Sequence, residues 1–272
     1  MIPASFSYQR AGSVEEALEL GAEHGEDAKF LAGGHSLLPL MKLRLAVPEV
    51  LIDLGRVPGL SYINDAGDHI AIGALTRHHD VQHSSMLATE VPLLAHAAGQ
   101  VGDPQIRHRG TIGGSLAHAD PAGDLPAVVL ALDATLVARG PGGSREIAAT
   151  DFFRGLYETA LDPGELLTEI RVPKPSVAGW SFQKFTKRAI DWAIVGVAVQ
   201  GNAVGLVNMG QQPVRATAVE EALAGGADAA SAAARAAEGT SPVGDLNATP
   251  EYRAHLARVL VGRALAEARS RA

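Results

Sequence analysis

The chain has 272 residues, of which 47% are apolar and 19% are charged, and its formal net charge is −7. This length allows one large domain or two to three smaller ones, and the negative charge argues against nucleic acid as a main partner. The chain contains no cysteine. This excludes disulfides, thiolate zinc sites and cysteine-ligated iron–sulfur clusters within the chain.

The sequence also lacks an uncharged apolar run of about 20 residues, the length that a membrane-spanning helix needs. Its first residues, MIPASFSYQR, lack the basic and then apolar segments of a signal peptide. We therefore expect no membrane span and a cytoplasmic protein.

The first predicted elements alternate between helix and strand. Ser13 begins a capping box, and apolar residues follow it with a helical period. Short apolar strands are predicted over residues 29–31 and 50–54, with a helix capped by Ser36 between them. The alternation indicates a small α/β unit over about residues 1–55.

The middle of the chain, about residues 56–175, mixes hairpins with helices. In chain order the sequence predicts a hairpin over 60–73, helices over 76–86, 91–99 and 127–132, a hairpin over 134–147 and a strand over 165–172. Pro173 and Pro175 follow the last strand and indicate a domain boundary.

The segment 176–272 predicts a second domain. Residues 180–186, 193–200 and 203–209 have the pattern of three antiparallel strands, and Gly201-Asn202 is a turn signal between the last two. From Val219 onward the chain is alanine-rich and helical, and its last helix carries an apolar stripe. The C-terminal domain is therefore predicted as a three-stranded sheet with a helical bundle.

Two glycine pairs stand about eighty residues apart, Gly33–Gly34 and Gly113–Gly114. Glycine permits positive φ and close approach of the backbone, so each pair can turn its N–H groups toward one ligand. The start of a helix behind such a turn adds partial positive charge. Together the two loops predict a site that binds a pyrophosphate from both sides. Either pair alone is more typical of a tight turn.

Four motifs in order give the chain a family resemblance. They are KFLAGGHSLLPLMKLRL (29–45), IGALTRHHDV (72–81), RHRGTIGGSLAHADPAGDLP (107–126) and FTKRAIDWAIVGVAV (185–199). With them the whole chain resembles the FAD-binding medium subunits of the molybdenum hydroxylases, the group of CO dehydrogenase and xanthine dehydrogenase. CO dehydrogenase is the favoured match.

The resemblance implies an α+β fold with FAD held between two α/β subdomains. These are the subdomains of the vanillyl-alcohol-oxidase-like (PCMH-type) FAD-binding fold, here about residues 1–55 and 56–175. The C-terminal three-stranded sheet with its helical bundle completes the subunit over residues 176–272.

The resemblance also implies the residues that bind FAD. The two loops would wrap the pyrophosphate, and Asp124 would accept hydrogen bonds from the adenosine ribose, although it could instead cap the helix that follows. The loop residues are Ala32, Gly33, Gly34, His35 and Ser36 in the first loop and Thr111, Ile112, Gly113, Gly114 and Ser115 in the second.

Five further residues match positions that lie near the flavin in the family. Lys187 or Lys184 would place a cation near the ring, where it favours the reduced cofactor. Alternatively, these lysines would belong to a solvated strand face, or Lys187 and Arg188 would form a subunit contact. Trp192 would shield the ring or anchor the core. Leu167 and Val101 would pack on the flavin or on ordinary core.

The histidines predict neither a metal site nor a covalent flavin. His78, His79 and His83 have no acidic partner at ligand spacing beyond Asp80. His35 stands where other flavoproteins attach FAD covalently, but the family resembled here binds it non-covalently.

The implied function is that of an electron-transfer subunit in a heterotrimeric molybdenum hydroxylase. A large partner would carry the molybdenum cofactor and a small partner two [2Fe–2S] clusters, in a dimer of heterotrimers that could lie against the inner face of the membrane. The alternatives are a stand-alone flavin oxidoreductase and a nucleotide-binding subunit without redox activity. No residue of this chain is predicted to be catalytic toward the substrate.

Overall fold

The computed structural model describes residues 2–177 and 179–272. In that part of the chain the strands form a parallel three-stranded sheet, an antiparallel five-stranded sheet, an antiparallel four-stranded sheet and a two-stranded ribbon. Each of the three larger sheets has its own apolar cluster beside it.

The first sheet has the order β1-β3-β2 and is parallel throughout. Its elements are β1 (Ser7–Arg10), α1 (Val14–His24), β2 (Ala28–Leu31), α2 (Leu37–Lys42) and β3 (Val50–Asp53). The Ser13 side chain accepts a hydrogen bond from the Glu16 N–H and caps α1 as predicted. Ser36 holds the cap position of α2, but its side chain makes no capping hydrogen bond.

The second sheet has the order β4-β5-β10-β6-β7, with helices between its strands. This part of the chain contains β4 (Ile63–Asp65), β5 (His69–Gly73), α3 (His78–His83), α4 (Ser85–Glu90), α5 (Pro92–Gly99), α6 (Pro104–Arg109), α7 (Ile112–His118), α8 (Asp124–Ala131), β6 (Thr135–Gly140), β7 (Gly143–Ala148), α9 (Ala149–Phe152), β8 (Phe153–Gly155), β9 (Glu158–Thr159) and β10 (Leu166–Pro173). Strands β8 and β9 form the separate two-stranded ribbon. The predicted helix over 76–86 is two helices, because Ser84 caps a new one. The second glycine pair lies within the first turn of α7 rather than ahead of it.

The C-terminal part contains the three predicted antiparallel strands and one more. Its elements are β11 (Trp180–Phe185), β12 (Val195–Gln200), β13 (Ala203–Val207), β14 (Val214–Arg215), α10 (Thr217–Ala224), α11 (Ala229–Ala234) and α12 (Pro250–Ser270). The added strand β14 has two residues, too few to show a periodic pattern. None of the helices in the described ranges has both the length and the apolar composition that a membrane crossing requires.

Helix α8 joins the second sheet region to the C-terminal sheet. All eight of its residues are buried, and it packs on α5 from one side and on β12 and β13 from the other. A Cβ atom added at Gly205 of β13 would overlap the Ala127 carbonyl of α8, so only glycine permits this approach. The division at residue 175 stays a prediction, and the two parts that it separates share this packed contact.

Gly205→Ala is expected to lower the free energy of unfolding by about 2–3 kcal/mol, because the added methyl group must push α8 away from β13. Gly142→Ala is the matched control: it lies in an exposed turn with nothing within 4 Å of the added Cβ, so its effect should stay within about 0.5 kcal/mol. Urea denaturation of the two variants measures the difference. Equal midpoints would contradict the close contact.

Candidate functional site

A cleft of about 450 Å³ lies where the three sheet regions meet. Its walls are mostly apolar, and it is bordered by the first glycine loop, the start of α7, the start of α8 and the end of β11. Every predicted site residue borders the cleft except Ile112 and Lys187: Ala32, Gly33, Gly34, His35, Ser36, Val101, Thr111, Gly113, Gly114, Ser115, Asp124, Leu167, Lys184 and Trp192. Predicted site residues that are far apart in the sequence thus border one cleft, and they come from all three sheet regions.

The first glycine loop, residues 32–36, offers unused backbone donors. Within the described ranges, no hydrogen bond of the chain engages the N–H groups of these five residues. Gly34 has a φ of 79°, which glycine adopts without strain. A Cβ atom on Gly33 would overlap the Arg109 carbonyl, so the first loop lies directly against the residues that precede the second. A run of free N–H groups suits a phosphate group.

Four N–H groups of the second glycine loop, those of residues 112–115, form hydrogen bonds inside the protein. The N–H groups of Ile112 and Gly113 bond to carbonyls of residues 76 and 74, at 3.0 and 2.8 Å. Those of Gly114 and Ser115 bond to the side chain and carbonyl of Thr111, at 3.1 and 3.0 Å. The Gly114 N–H is engaged because Thr111 caps α7. Gly113 is required for close packing, since a Cβ there would lie 2.6 Å from the Ala74 carbonyl oxygen.

Asp124 and Lys184 form a buried ion pair at the cleft wall. The Lys184 ammonium lies 2.7 Å from Asp124 Oδ2 and 2.9 Å from the Gln100 carbonyl oxygen, and the side chains of Lys184 and Asp124 are only 8% and 6% exposed. Gly123 holds the cap position of α8, so Asp124 does not cap that helix. Its second oxygen, Oδ1, is buried and has no hydrogen-bond partner among the described residues.

The protonation of Asp124 is set by two opposing effects. Burial raises the pKa of its carboxyl to about 6, and the charge and hydrogen bond of Lys184 act in the opposite direction. At neutral pH the group is therefore mainly a carboxylate with one free, buried acceptor oxygen at the cleft wall. Such an oxygen suits a hydroxyl donor of a ligand.

His78 is a cleft residue that sequence reasoning missed. It is 4% exposed, and its Nδ1 has no hydrogen-bond partner in the described part of the chain. Burial first, and then the charges of His35, Arg77 and Arg107, lower its pKa to about 4. The ring is therefore neutral and offers a donor or an acceptor to a ligand. The sequence does not reveal this position in the cleft wall, because His78 belongs to a run of histidines and such a run is typical of a metal site.

The other histidines of that run lie outside the cleft. His79 stacks on His83 and His108, with ring centroids 4.3 and 4.0 Å apart. Among the residues that the structure describes, no group of three potential metal ligands comes together.

The remaining predicted residues fall into two groups. Ile112 is fully buried in the core, and Lys187 is exposed outside the cleft walls. Leu167 and Val101 border the cleft and also pack on the core cluster, so both of their predicted roles are compatible with the structure. Trp192 borders the cleft and is 61% exposed, which excludes it as an anchor of the core.

Two family models match the chain and together cover most of it. Residues 4–175 match the FAD binding domain in molybdopterin dehydrogenase, and residues 180–268 match the CO dehydrogenase flavoprotein C-terminal domain. The chain belongs to this family of FAD-binding subunits. The predicted family and its cofactor, FAD, are thereby confirmed.

Similar proteins agree with this family over their full length. The carbon monoxide dehydrogenase medium chain of Hydrogenophaga pseudoflava is 41% identical, over 97% of each chain. The 6-hydroxypseudooxynicotine dehydrogenase complex subunit alpha of Paenarthrobacter nicotinovorans is 42% identical, over 100% of this chain and 97% of that one.

Solved structures give the same result for the fold. In the carbon monoxide dehydrogenase from Hydrogenophaga pseudoflava that lacks the Mo-pyranopterin moiety of the molybdenum cofactor, the matching chain superposes with a TM-score of 0.96 at 42% identity, over 100% of this chain and 99% of that one. Quinoline 2-oxidoreductase from Pseudomonas putida 86 gives 0.92 at 32% identity, over 99% of each chain. The predicted FAD-binding fold with a C-terminal sheet domain is confirmed.

FAD affinity is expected to rise roughly tenfold between pH 5 and pH 7.5, because the pKa of Asp124 is about 6 and its carboxylate accepts ribose hydroxyls better than the protonated acid does. The sign follows from linkage: a ligand that prefers the deprotonated group binds more tightly as pH rises through that pKa. Titration of FAD, followed by flavin fluorescence at both pH values, measures the change.

Asp124→Asn should flatten this pH dependence, and the exposed Asp151→Asn should leave it intact. An unchanged pH dependence in the Asp124→Asn variant would remove Asp124 from the cofactor site.

Proposed function

We propose that this chain is the FAD-carrying electron-transfer subunit of a heterotrimeric molybdenum hydroxylase. The observation that carries the proposal is the match of both family models over residues 4–175 and 180–268, on a fold whose cleft brings together fourteen of the sixteen predicted site residues. In this proposal electrons arrive from the iron–sulfur clusters of a small partner subunit and leave to an external acceptor. A large partner subunit carries the molybdenum cofactor and oxidises the substrate.

The cleft residues fit FAD and divide its parts among them. The free N–H groups of residues 32–36 hold the pyrophosphate, where each charge-assisted hydrogen bond contributes about 1.5–3 kcal/mol. Asp124 Oδ1 accepts a ribose hydroxyl, and the neutral ring of His78 bonds to the cofactor between the two loops. When bound, FAD supplies a centre that exchanges electrons singly or in pairs. We propose that it is held without a covalent bond to His35.

Lys184 has a different role from the one predicted for a cation near the flavin. Its ammonium group is committed to Asp124 and to the Gln100 carbonyl, so it orients the ribose acceptor and limits the cost of burying a carboxylate. Lys187 stands on the exposed segment between β11 and β12. We propose that Lys187 faces a partner subunit rather than the cofactor.

CO is the favoured substrate of the whole complex, since carbon monoxide dehydrogenase medium chains of two organisms are 40–41% identical to this chain. A subunit of a 6-hydroxypseudooxynicotine dehydrogenase is similar to the same degree. The substrate pocket belongs to the large partner, so this chain does not select between them. A cytoplasmic dimer of heterotrimers is the proposed assembly.

The proposal predicts that the flavin is reduced only within the complex. The tagged chain should co-purify with two proteins, one with molybdenum and one with [2Fe–2S] clusters. Exposure of that complex to CO should bleach the flavin absorbance, whereas the isolated FAD-loaded chain should keep it. Bleaching of the isolated chain by an organic substrate would instead establish a stand-alone oxidoreductase.

Partner binding is also expected to tighten FAD binding by about 5- to 150-fold, the range of a typical coupling between sites. The reason is the pair of large apolar side chains at the mouth of the cleft, Ile190 and Trp192, which are 60% and 61% exposed. A partner that covers them fixes the wall of the cofactor site. FAD titrations with and without the small subunit measure the ratio.

Trp192→Ala should reduce that ratio, and Leu246→Ala, at an exposed apolar position that does not border the cleft, should not. Equal FAD affinities with and without the partner would refute the coupling.

A further inference from the structure

A second pocket, of about 300 Å³, lies beside the first glycine loop. It shares the wall residues Leu31, Ala32 and Gly33 with the cleft but is otherwise built from different parts of the chain. Four arginines line it: Arg10 at the end of β1, Arg56 after β3, Arg77 before α3 and Arg109 at the end of α6. We call it the arginine pocket.

The four guanidinium groups have no acidic partner of their own. Within residues 2–177 and 179–272, the ion pairs closer than 4.0 Å that involve arginine are all made by other arginines. The pocket holds one acid, Asp53, whose carboxylate oxygens accept hydrogen bonds from the Tyr8 hydroxyl and the Gly55 N–H. With four arginines against one aspartate, the walls carry a net charge of +3 in a chain whose net charge is −7.

This concentration of charge is held in place by the fold. Arg77 is partly buried, and its guanidinium donates to the Arg109 carbonyl, the group against which Gly33 packs. Burial and the nearby charge of Arg109 lower the pKa of Arg77. The other three arginines are exposed, so water screens part of the repulsion among the four like charges, and a bound anion would remove the rest.

The size and charge of the pocket define the ligand class. A single carboxylate or phosphate can engage one or two guanidinium forks, whereas four arginines around 300 Å³ suit an anion with two or more phosphate groups, each of which accepts bidentate hydrogen bonds. We propose that the arginine pocket is a binding site for a small polyphosphate, such as the phosphate chain of a nucleotide, separate from the FAD cleft.

The test uses the full chain loaded with FAD, so that the cofactor cleft is filled. Calorimetric titrations at constant ionic strength compare inorganic phosphate, pyrophosphate and triphosphate. We expect one saturable site, with affinity that increases from phosphate to triphosphate. The test variant is the double substitution Arg10→Gln and Arg56→Gln, because neither side chain bonds to a backbone carbonyl, whereas Arg77 fixes the loops.

The double variant should bind triphosphate at least about tenfold more weakly, which is the typical effect of losing a charge-assisted hydrogen bond. The control is Arg154→Gln, at an exposed arginine outside the pocket, and it should bind as the unchanged chain does. FAD absorbance and the thermal midpoint of each variant verify that the fold and the cleft are intact.

Three results would overturn the proposal. The first is undiminished triphosphate binding in the double variant, which would put the anion elsewhere. The second is binding that occurs only without FAD, which would put the anion in the cofactor cleft. The third is the absence of saturable binding, either to the FAD-loaded chain or on assembly of the complex; loss on assembly alone would make the arginines a contact for an acidic surface of a partner subunit.

Discussion

The structure of the site depends on how one buried helix, α8, is fixed between helix α5 and the C-terminal sheet. Gly205 lets the backbone of β13 approach α8 closely, and both ends of the helix are tied to the C-terminal sheet by basic side chains. At its start Lys184 of β11 pairs with Asp124, and at its end Arg215 of β14 donates to the Leu130 carbonyl and to Asp133. An acid at the first turn and a cation at the last also agree with the helix dipole.

The C-terminal part borders the cleft with only four residues, Lys184, Ile190, Asp191 and Trp192. Its larger effect on the cleft is to fix the position of α8. The depth of Asp124 in the wall is set by the distance between α8 and β13, and its orientation is set by Lys184. A change in the sheet therefore reaches Asp124 through α8. The two-residue strand β14 also holds α8 in position, because it places Arg215 at the other end of the helix.

The two glycine pairs look alike in sequence but serve different ends. At 32–36 the N–H groups have no partner within the described residues, and Gly33 allows contact with the backbone that precedes the second loop. At 112–115 the N–H groups are consumed by the cap of α7 and by residues 74 and 76, so this pair secures packing. Close packing requires glycine at Gly33 and at Gly113, but only the first pair forms a loop ahead of a helix. Which donors remain free depends on tertiary neighbours, which the local pattern does not encode.

Much of the fold and the border of the cleft could be predicted because hydrophobic periods and four motifs span the chain. What escaped prediction has physical reasons. The strand β1 is a polar, mostly exposed edge, SYQR, with no apolar alternation. The choice between Lys184 and Lys187 depends on strand register: Lys184 points into the protein toward Asp124, whereas Lys187 follows the end of β11. His78 differs from its neighbours only by burial.

The polar atoms that the chain leaves unpartnered indicate how its stability and its cofactor are linked. Among the buried side-chain atoms without a hydrogen bond in the described residues are Asp124 Oδ1 and His78 Nδ1, and both residues border the cleft. Each unsatisfied buried group typically costs about 1–3 kcal/mol. A cofactor that satisfies them removes this cost only in the folded state, so it stabilises the fold in proportion to the logarithm of its concentration over its dissociation constant. The features that make the site fit FAD are thus the same ones that make the free chain less stable than its packing alone would allow.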